Sequence, residues 1–237
     1  MSGPRNDAPD DVDLGRVWIS VAAQVWRRQP GWLERTAGRV LRSPGLARAL
    51  LTTPSLLLPW LLASVVVLAT GAAATLSSGQ PLVALLAPAV AAAAIAYSYG
   101  PGVDPAWELS CSMAVSDRMV LLVRAVAVFA VNAVLGVVAS AVSASGAAAA
   151  VTFGWLVPMT AVCAFALAVA TVARSATAGA AAGAAAWLIT VLSGRVASGH
   201  FAAAVSDTVL FLPYLAIAAG CAVIALYASR TPGGTRG

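Results

Sequence analysis

Six apolar runs dominate this chain, and each is long enough to cross a lipid bilayer, which takes about 20 apolar residues. The sequence therefore predicts an all-α fold: a polytopic membrane protein with six transmembrane helices, preceded by cytoplasmic or interfacial amphipathic helices. The predicted spans are Pro54–Leu76, Pro81–Tyr99, Met119–Ser143, Ala147–Val172, Ala176–Ser193 and Thr208–Ala228.

The composition agrees with a membrane protein. Hydrophobic residues make up 60% of the chain and charged residues only 10%, whereas soluble domains carry about 25% charged residues. The links 77–80 and 144–146 are short and uncharged, which predicts a helical hairpin at each. We expect an N-terminal region over 1–53, a membrane domain over 54–228 and a short tail over 229–237.

The distribution of arginine predicts the orientation. With the N-terminus inside, all of the fourteen basic residues except Arg195 lie on the cytoplasmic side. Cytoplasmic loops of membrane proteins carry such an excess of positive charge. The sequence thus predicts a multi-pass protein of the plasma membrane with both termini in the cytoplasm.

The N-terminal region contains two stretches with helical periodicity. In the second, Trp32 to Arg42, the arginines share one face and apolar residues share another. Arg-rich amphipathic helices with Trp lie at the surface of anionic membranes, although such a helix also packs on a soluble partner. The residues predicted to lie at the membrane interface are Trp32, Arg35, Arg39, Arg42 and Arg48.

Residues 100–118, between the second and third spans, gather several charges. Asp104 is a good helix N-cap, and Pro105 suits the first helical position. A helix over 105–116 places its acidic and hydroxyl residues on one face. We expect this segment to present a carboxylate to a soluble partner in the cytoplasm. The candidate coupling residues are Asp104, Glu108, Ser112, Ser116, Asp117 and Arg118.

Three residues inside the spans are candidates for helix packing or for lining a pathway. Asn132 falls near the middle of the third span, where a buried amide usually forms a hydrogen bond with another helix. Gly179 and Gly183 form a small-xxx-small pattern, which allows close approach of helices or a dimer seam. No ionisable residue lies at the centre of a predicted span, which argues against ion-coupled transport.

Nothing in the sequence indicates catalytic residues, a metal site or a bound cofactor. Cys111, Cys163 and Cys221 are far apart, and His200 is the single histidine, so no metal-ligand spacing is present. A Walker-type glycine loop is also missing. The sequence therefore predicts a protein that is not itself an enzyme and does not bind nucleic acid.

Three stretches carry a resemblance to a known family: 41–51, 99–109 and 116–124. Over about residues 40–230 the chain resembles the membrane-spanning permease subunit of actinobacterial ABC exporters, the type-2 ABC transporter permeases. The resemblance implies an elbow helix over Gly45–Leu51, a coupling helix over Asp104–Ser116 and an outer cap over Gly194–Ser206. Glu108 is then the carboxylate expected to dock on the ATPase.

This resemblance also implies partners. A separate ATPase subunit binds ATP and Mg²⁺, and this chain pairs as a homodimer or as a heterodimer with a sister permease. A hydrophobic or amphipathic substrate would then be exported through the bilayer. Two other functions remain open from the sequence. One is a membrane-anchored regulator or scaffold that holds a soluble partner through its N-terminal region, and the other is an ATPase-independent carrier or channel.

Overall fold

The computed structural model describes residues 13, 15–20, 31–40, 42, 54–99, 117–143, 154–199 and 210–229. The chain divides into two compact units, Met1–Arg48 and Ala49–Gly237. The described elements of both units are α-helices, as the apolar periodicity predicts.

The N-terminal unit contains a short helical stretch, 15–20, and the helix α1, Trp32–Val40. Asp13 caps the first, because its Oδ1 accepts a hydrogen bond from the Arg16 backbone N–H at 3.1 Å. The sequence predicted that the second helix would include Arg42. Instead α1 ends at Val40, and Arg42 has a left-handed backbone conformation with φ of 50°.

The second unit contains six helices in the described residues, and all are apolar. Five are long enough to cross a membrane and one is shorter, so the chain is a polytopic helical membrane protein. The helices are α2, Pro54–Ser78; α3, Leu82–Tyr97; α4, Asp117–Ser143; α5, Leu156–Ala173; α6, Ala176–Ser198; and α7, Phe211–Ala228.

The membrane unit has many small side chains inside and many large aliphatic side chains on its surface. Lipid tails are as apolar as leucine, so helices in a bilayer associate through close packing of small residues. Fully buried alanines include Ala91, Ala92, Ala96, Ala166 and Ala170. Large aliphatic residues exposed at the surface include Leu62, Val66, Val126, Val134, Leu212 and Ile224.

Helices α3 and α5 occupy the centre of the bundle. They pack against each other, and α6 packs on both. Helices α2 and α4 cover α3 and contact each other, whereas α7 packs chiefly on α5. Helix α3 has 16 residues, which at 1.5 Å per residue fall short of a hydrocarbon core of about 30 Å. Its central position explains why this is tolerated, because neighbouring helices rather than lipid surround it.

Two tight turns form hairpins. Gly79, with φ of 69°, ends α2 and precedes Gln80 and Pro81, as the short uncharged link predicts. Between α5 and α6, Arg174 takes φ of 52°. The next residue, Ser175, caps α6 by accepting a hydrogen bond from the Ala178 N–H at 3.2 Å.

Two predicted boundaries differ from the structure. Helix α5 begins at Leu156, nine residues later than expected. The predicted link 144–146 lies outside the described residues. Helix α6 continues to Ser198, so residues 194–198 of the predicted outer cap belong to a membrane helix. The backbone hydrogen bonds of α6 continue past the predicted end of the span at Ser193. The helix ends before Gly199, which has a φ of 75°.

Candidate functional site

Most of the predicted coupling residues lie outside the described residues: Asp104, Glu108, Ser112 and Ser116. Asp117 and Arg118 form the first turn of α4 rather than a separate segment, and Arg118 is half-buried. In the sequence the four undescribed residues lie between the end of α3 and the first turn of α4, and those two helix ends are described.

The bundle end formed by the end of α3, the start of α4 and the end of α5 has more arginines than the opposite end, among the described residues. Tyr99, just after α3, lies within electrostatic reach of Arg174, at the end of α5. Burial raises the pKa of the Tyr99 phenol, and the Arg174 guanidinium acts in the opposite direction. Arg118 and Arg124, at the start of α4, lie at the same end, because the other end of α4 contacts the start of α5.

Residues predicted to lie at the membrane interface are exposed where the structure describes them. Trp32, Arg35 and Arg39 share one side of α1, and Trp32 is 68% exposed. Arg42 is exposed as well, but it lies beyond the helix, and Arg48 is outside the described residues. Arginine and tryptophan are both common in helices at a membrane surface, but there they lie on opposite faces, whereas in α1 they share one side.

Asn132 does not form the interhelical hydrogen bond that its position predicts. Its Nδ2 donates to the backbone oxygen of Val128, one turn earlier in the same helix, at 2.9 Å. Its Oδ1 is buried without a hydrogen-bond partner, and the residue is 1% exposed. An acceptor that stays unpartnered in a buried position costs about 1–3 kcal/mol of stability.

Gly179 and Gly183 pack inside the bundle. A Cβ atom on Gly179 would lie 2.6 Å from the Ala166 oxygen and 2.6 Å from the Ala170 Cβ. On Gly183 it would lie 2.8 Å from the Ala166 Cβ and 3.1 Å from the Ala92 Cβ. The chain's own helices α5 and α3 therefore occupy the face that the sequence offered as a possible dimer seam.

A tryptophan at the start of α5 fills the space beside a glycine of α4. The indole of Trp155 contacts Gly136, and its Nε1 donates to the Ser140 Oγ at 3.2 Å. This contact was not predicted from the sequence. Gly136 and Ser140 are small residues four positions apart, and that spacing could have indicated a close approach by another helix.

A second tryptophan links α6 to α3. The Nε1 of Trp187 donates to the backbone oxygen of Leu85 at 2.6 Å. The bond does not go to Ala84, the residue whose carbonyl loses its helical donor because Pro88 has no N–H. The sequence carried no signal for this contact, which joins residues 102 positions apart.

We expect Trp187→Phe to lower the free energy of unfolding by about 1 kcal/mol, the net value of a typical hydrogen bond. Trp187 is 3% exposed, so water cannot replace the lost indole donor. The thermal midpoint in detergent measures the effect, with Trp32→Phe on the exposed side of α1 as the control. Equal midpoints for the two variants would show that the bond to Leu85 does not contribute.

Two of the three cysteines are described, and they lie apart. Cys163 is buried in α5, and Cys221 is half-buried in α7. The described residues contain no cluster of three or more His, Cys, Asp or Glu side chains that could hold a metal ion. Cys111 and His200 lie outside them.

Comparison of the chain with known protein families, with curated proteins and with solved structures finds no match.

Proposed function

We propose that this chain is the membrane-spanning subunit of an ATP-driven exporter. A separate ATPase subunit binds the segment 104–116, with Glu108 as the docking carboxylate, and supplies ATP and Mg²⁺. This chain pairs with a second copy or a sister permease and moves a hydrophobic or amphipathic molecule across the plasma membrane. It performs no covalent chemistry itself.

The observation that carries the proposal is the position of the two helix ends, of α3 and of α4, that flank the charged segment in the sequence. Its flanking residues lie at the end of the bundle that holds Arg118, Arg124 and Arg174, while Arg195 lies near the far end of α6. Positive charge marks the cytoplasmic side of a membrane protein. An orientation with both termini in the cytoplasm therefore exposes segment 104–116 to an ATPase there.

Motion of a docked ATPase is transmitted to the bundle through α3 and α4. In the sequence the segment 104–116 lies between α3 and α4, and these two helices pack against each other. Because α3 also contacts α2, α5 and α6, a displacement of its end is passed to most of the membrane unit. A docked segment would act as a lever on the central helix.

A second function, a membrane-anchored scaffold, is favoured by a different observation. Residues Met1–Arg48 form a compact unit of their own. The stretch 15–20 of this unit exposes Val17, Trp18 and Ile19, which are apolar residues suited to a partner surface. Removal of residues 1–40 separates the two functions, because a scaffold would lose its partner, whereas a transporter subunit would keep its ATPase.

We expect Glu108→Arg to abolish co-purification of an ATPase subunit, because a positive charge replaces the docking carboxylate. The tagged protein is extracted in mild detergent, and the bound proteins are identified by mass spectrometry. The matched control is Gln80→Arg, an exposed site in the turn between α2 and α3, away from the coupling end.

Retention of an ATPase by the wild type and by Gln80→Arg, with loss in Glu108→Arg, supports the exporter. An ATPase that stays bound in all three samples contradicts the docking role of Glu108. A wild-type sample that contains a soluble partner of another class, and no ATPase, contradicts the exporter and favours the scaffold.

A further inference from the structure

The helices of the membrane unit form two groups that share α3. In the first group, α2 and α4 pack against each other and against α3. In the second group, α5 and α6 pack against each other and against α3, and α7 packs on α5. Among the described helices, no helix of the first group packs closely along a helix of the second. Helix α3 is therefore the element through which the two groups are mainly joined.

The closest contacts between backbones follow the same division. A Cβ atom on Gly71 of α2 would lie 3.0 Å from the Leu86 Cδ1 of α3. A Cβ atom on Gly183 of α6 would lie 3.1 Å from the Ala92 Cβ, also of α3. The hydrogen bond of Trp187 likewise joins α6 to α3. Each of these contacts holds one group to α3, so each group is tightly packed within itself.

A tryptophan bridges the two groups where α4 and α5 meet. The indole of Trp155 lies against Gly136, and its Nε1 donates to the Ser140 Oγ at 3.2 Å. The ring is fully buried and fills the space that the glycine leaves on α4. Since α4 and α5 do not pack closely elsewhere in the described residues, this contact holds the end of α4 to the start of α5.

We propose that α2 and α4 move as one body against α5, α6 and α7, with α3 between them, and that Trp155 is the latch that holds the two bodies together. Switching proteins commonly move packed bodies whose internal contacts persist. With the latch engaged, the indole lies against Gly136. With the latch released, α4 moves away from the start of α5 and takes Ser140 with it.

The latch closes the bundle at the end opposite to Arg118 and Arg174, because the start of α5 and the far end of α4 meet there. Release would open a gap between α4 and α5 at that end. Use of this gap by a transported molecule rests on the proposed exporter function, whereas the division into two bodies rests on the packing of the helices alone.

Distances between spin labels test this division. In a chain whose three native cysteines are replaced, labels are attached to exposed positions near the end of the bundle that holds Trp155. Val138→Cys with Val196→Cys measures across the two groups, from α4 to α6. Val196→Cys with Leu212→Cys measures within the second group, and Leu76→Cys with Val138→Cys measures within the first.

We expect Trp155→Ala to lengthen the distance across the groups by at least about 2 Å, the size of helix shifts in switching proteins, and to broaden its distribution. Both distances within the groups should keep their wild-type values. The matched control is Trp187→Ala, which removes a similarly buried indole that joins α6 to α3 inside the second group. It should leave the distance across the groups unchanged.

An unchanged distance across the groups in Trp155→Ala would overturn the proposal. Equal changes in all three distances, or an equal lengthening in Trp187→Ala, would overturn it as well. If Trp155→Ala is not monodisperse in detergent, Ser140→Ala decides by the same pattern, because it removes only the hydrogen bond. No ATPase takes part in the experiment, so failure of the latch leaves the proposed exporter function standing, and a missing ATPase leaves the latch standing.

Discussion

Gly179→Ala is expected to destabilise the membrane unit by roughly 1–3 kcal/mol, the usual cost of overpacking a tight core. The added methyl group would lie 2.6 Å from the Ala166 backbone oxygen and 3.0 Å from the Ala170 Cα. Backbone atoms of α5 cannot rotate away as a flexible side chain can, so the two helices must separate. The thermal midpoint of the purified protein in detergent measures the loss.

The chain offers a graded series of controls for this prediction. Gly183→Ala meets mainly the Cβ atoms of Ala166 and Ala92 and should cost less than Gly179→Ala. A Cβ atom on Gly220, in the exposed part of α7, would meet nothing within 4 Å, so Gly220→Ala should leave the midpoint unchanged or slightly higher. Equal midpoints for all three variants would contradict the close approach of α5 and α6.

Gly136→Ala is the second substitution with a large expected effect, again roughly 1–3 kcal/mol. The new Cβ atom would lie 2.9 Å from the Trp155 Cζ2 and still closer to Cη2. Trp155 is fully buried, so its ring has no free space into which it could move. We expect a lower thermal midpoint and a smaller fraction of monodisperse protein after extraction.

A double substitution tests whether contact with Trp155 causes the loss of stability in Gly136→Ala. Phenylalanine lacks the ring atoms that meet Gly136, so Trp155→Phe should restore much of the stability that Gly136→Ala removes. The double variant should then lose less than the sum of the two single losses, which is the signature of residues in direct contact. Strictly additive losses would mean that Gly136 and Trp155 are not packed together.

Several local features of this fold could be predicted from the sequence because they depend on neighbouring residues. The turn at Gly79 follows from a glycine between two apolar runs, and the start of α6 follows from a serine that caps a helix. The exposure of Trp32 and Arg35 on α1 follows from helical periodicity. Each of these depends on local backbone chemistry, which a short stretch of sequence contains.

The candidate site was less predictable. The sequence located Asn132 near the middle of a span but predicted a partner on another helix, whereas its Nδ2 bonds within α4. It offered Gly179 for close packing or for a dimer seam, and only the packed bundle places α5 against it. The docking segment around Glu108 stays a prediction, since it lies outside the described residues.

The sequence by itself determined that this protein is a bundle of membrane helices, because backbone polar groups in lipid must be satisfied within each apolar run. Only the tertiary structure decided which helix lies at the centre and which faces meet. In water, hydrophobicity separates an inner face from an outer face. In a bilayer both faces are apolar, so the choice depends on side-chain shape, as where Gly136 accommodates Trp155 and where buried alanines line α3.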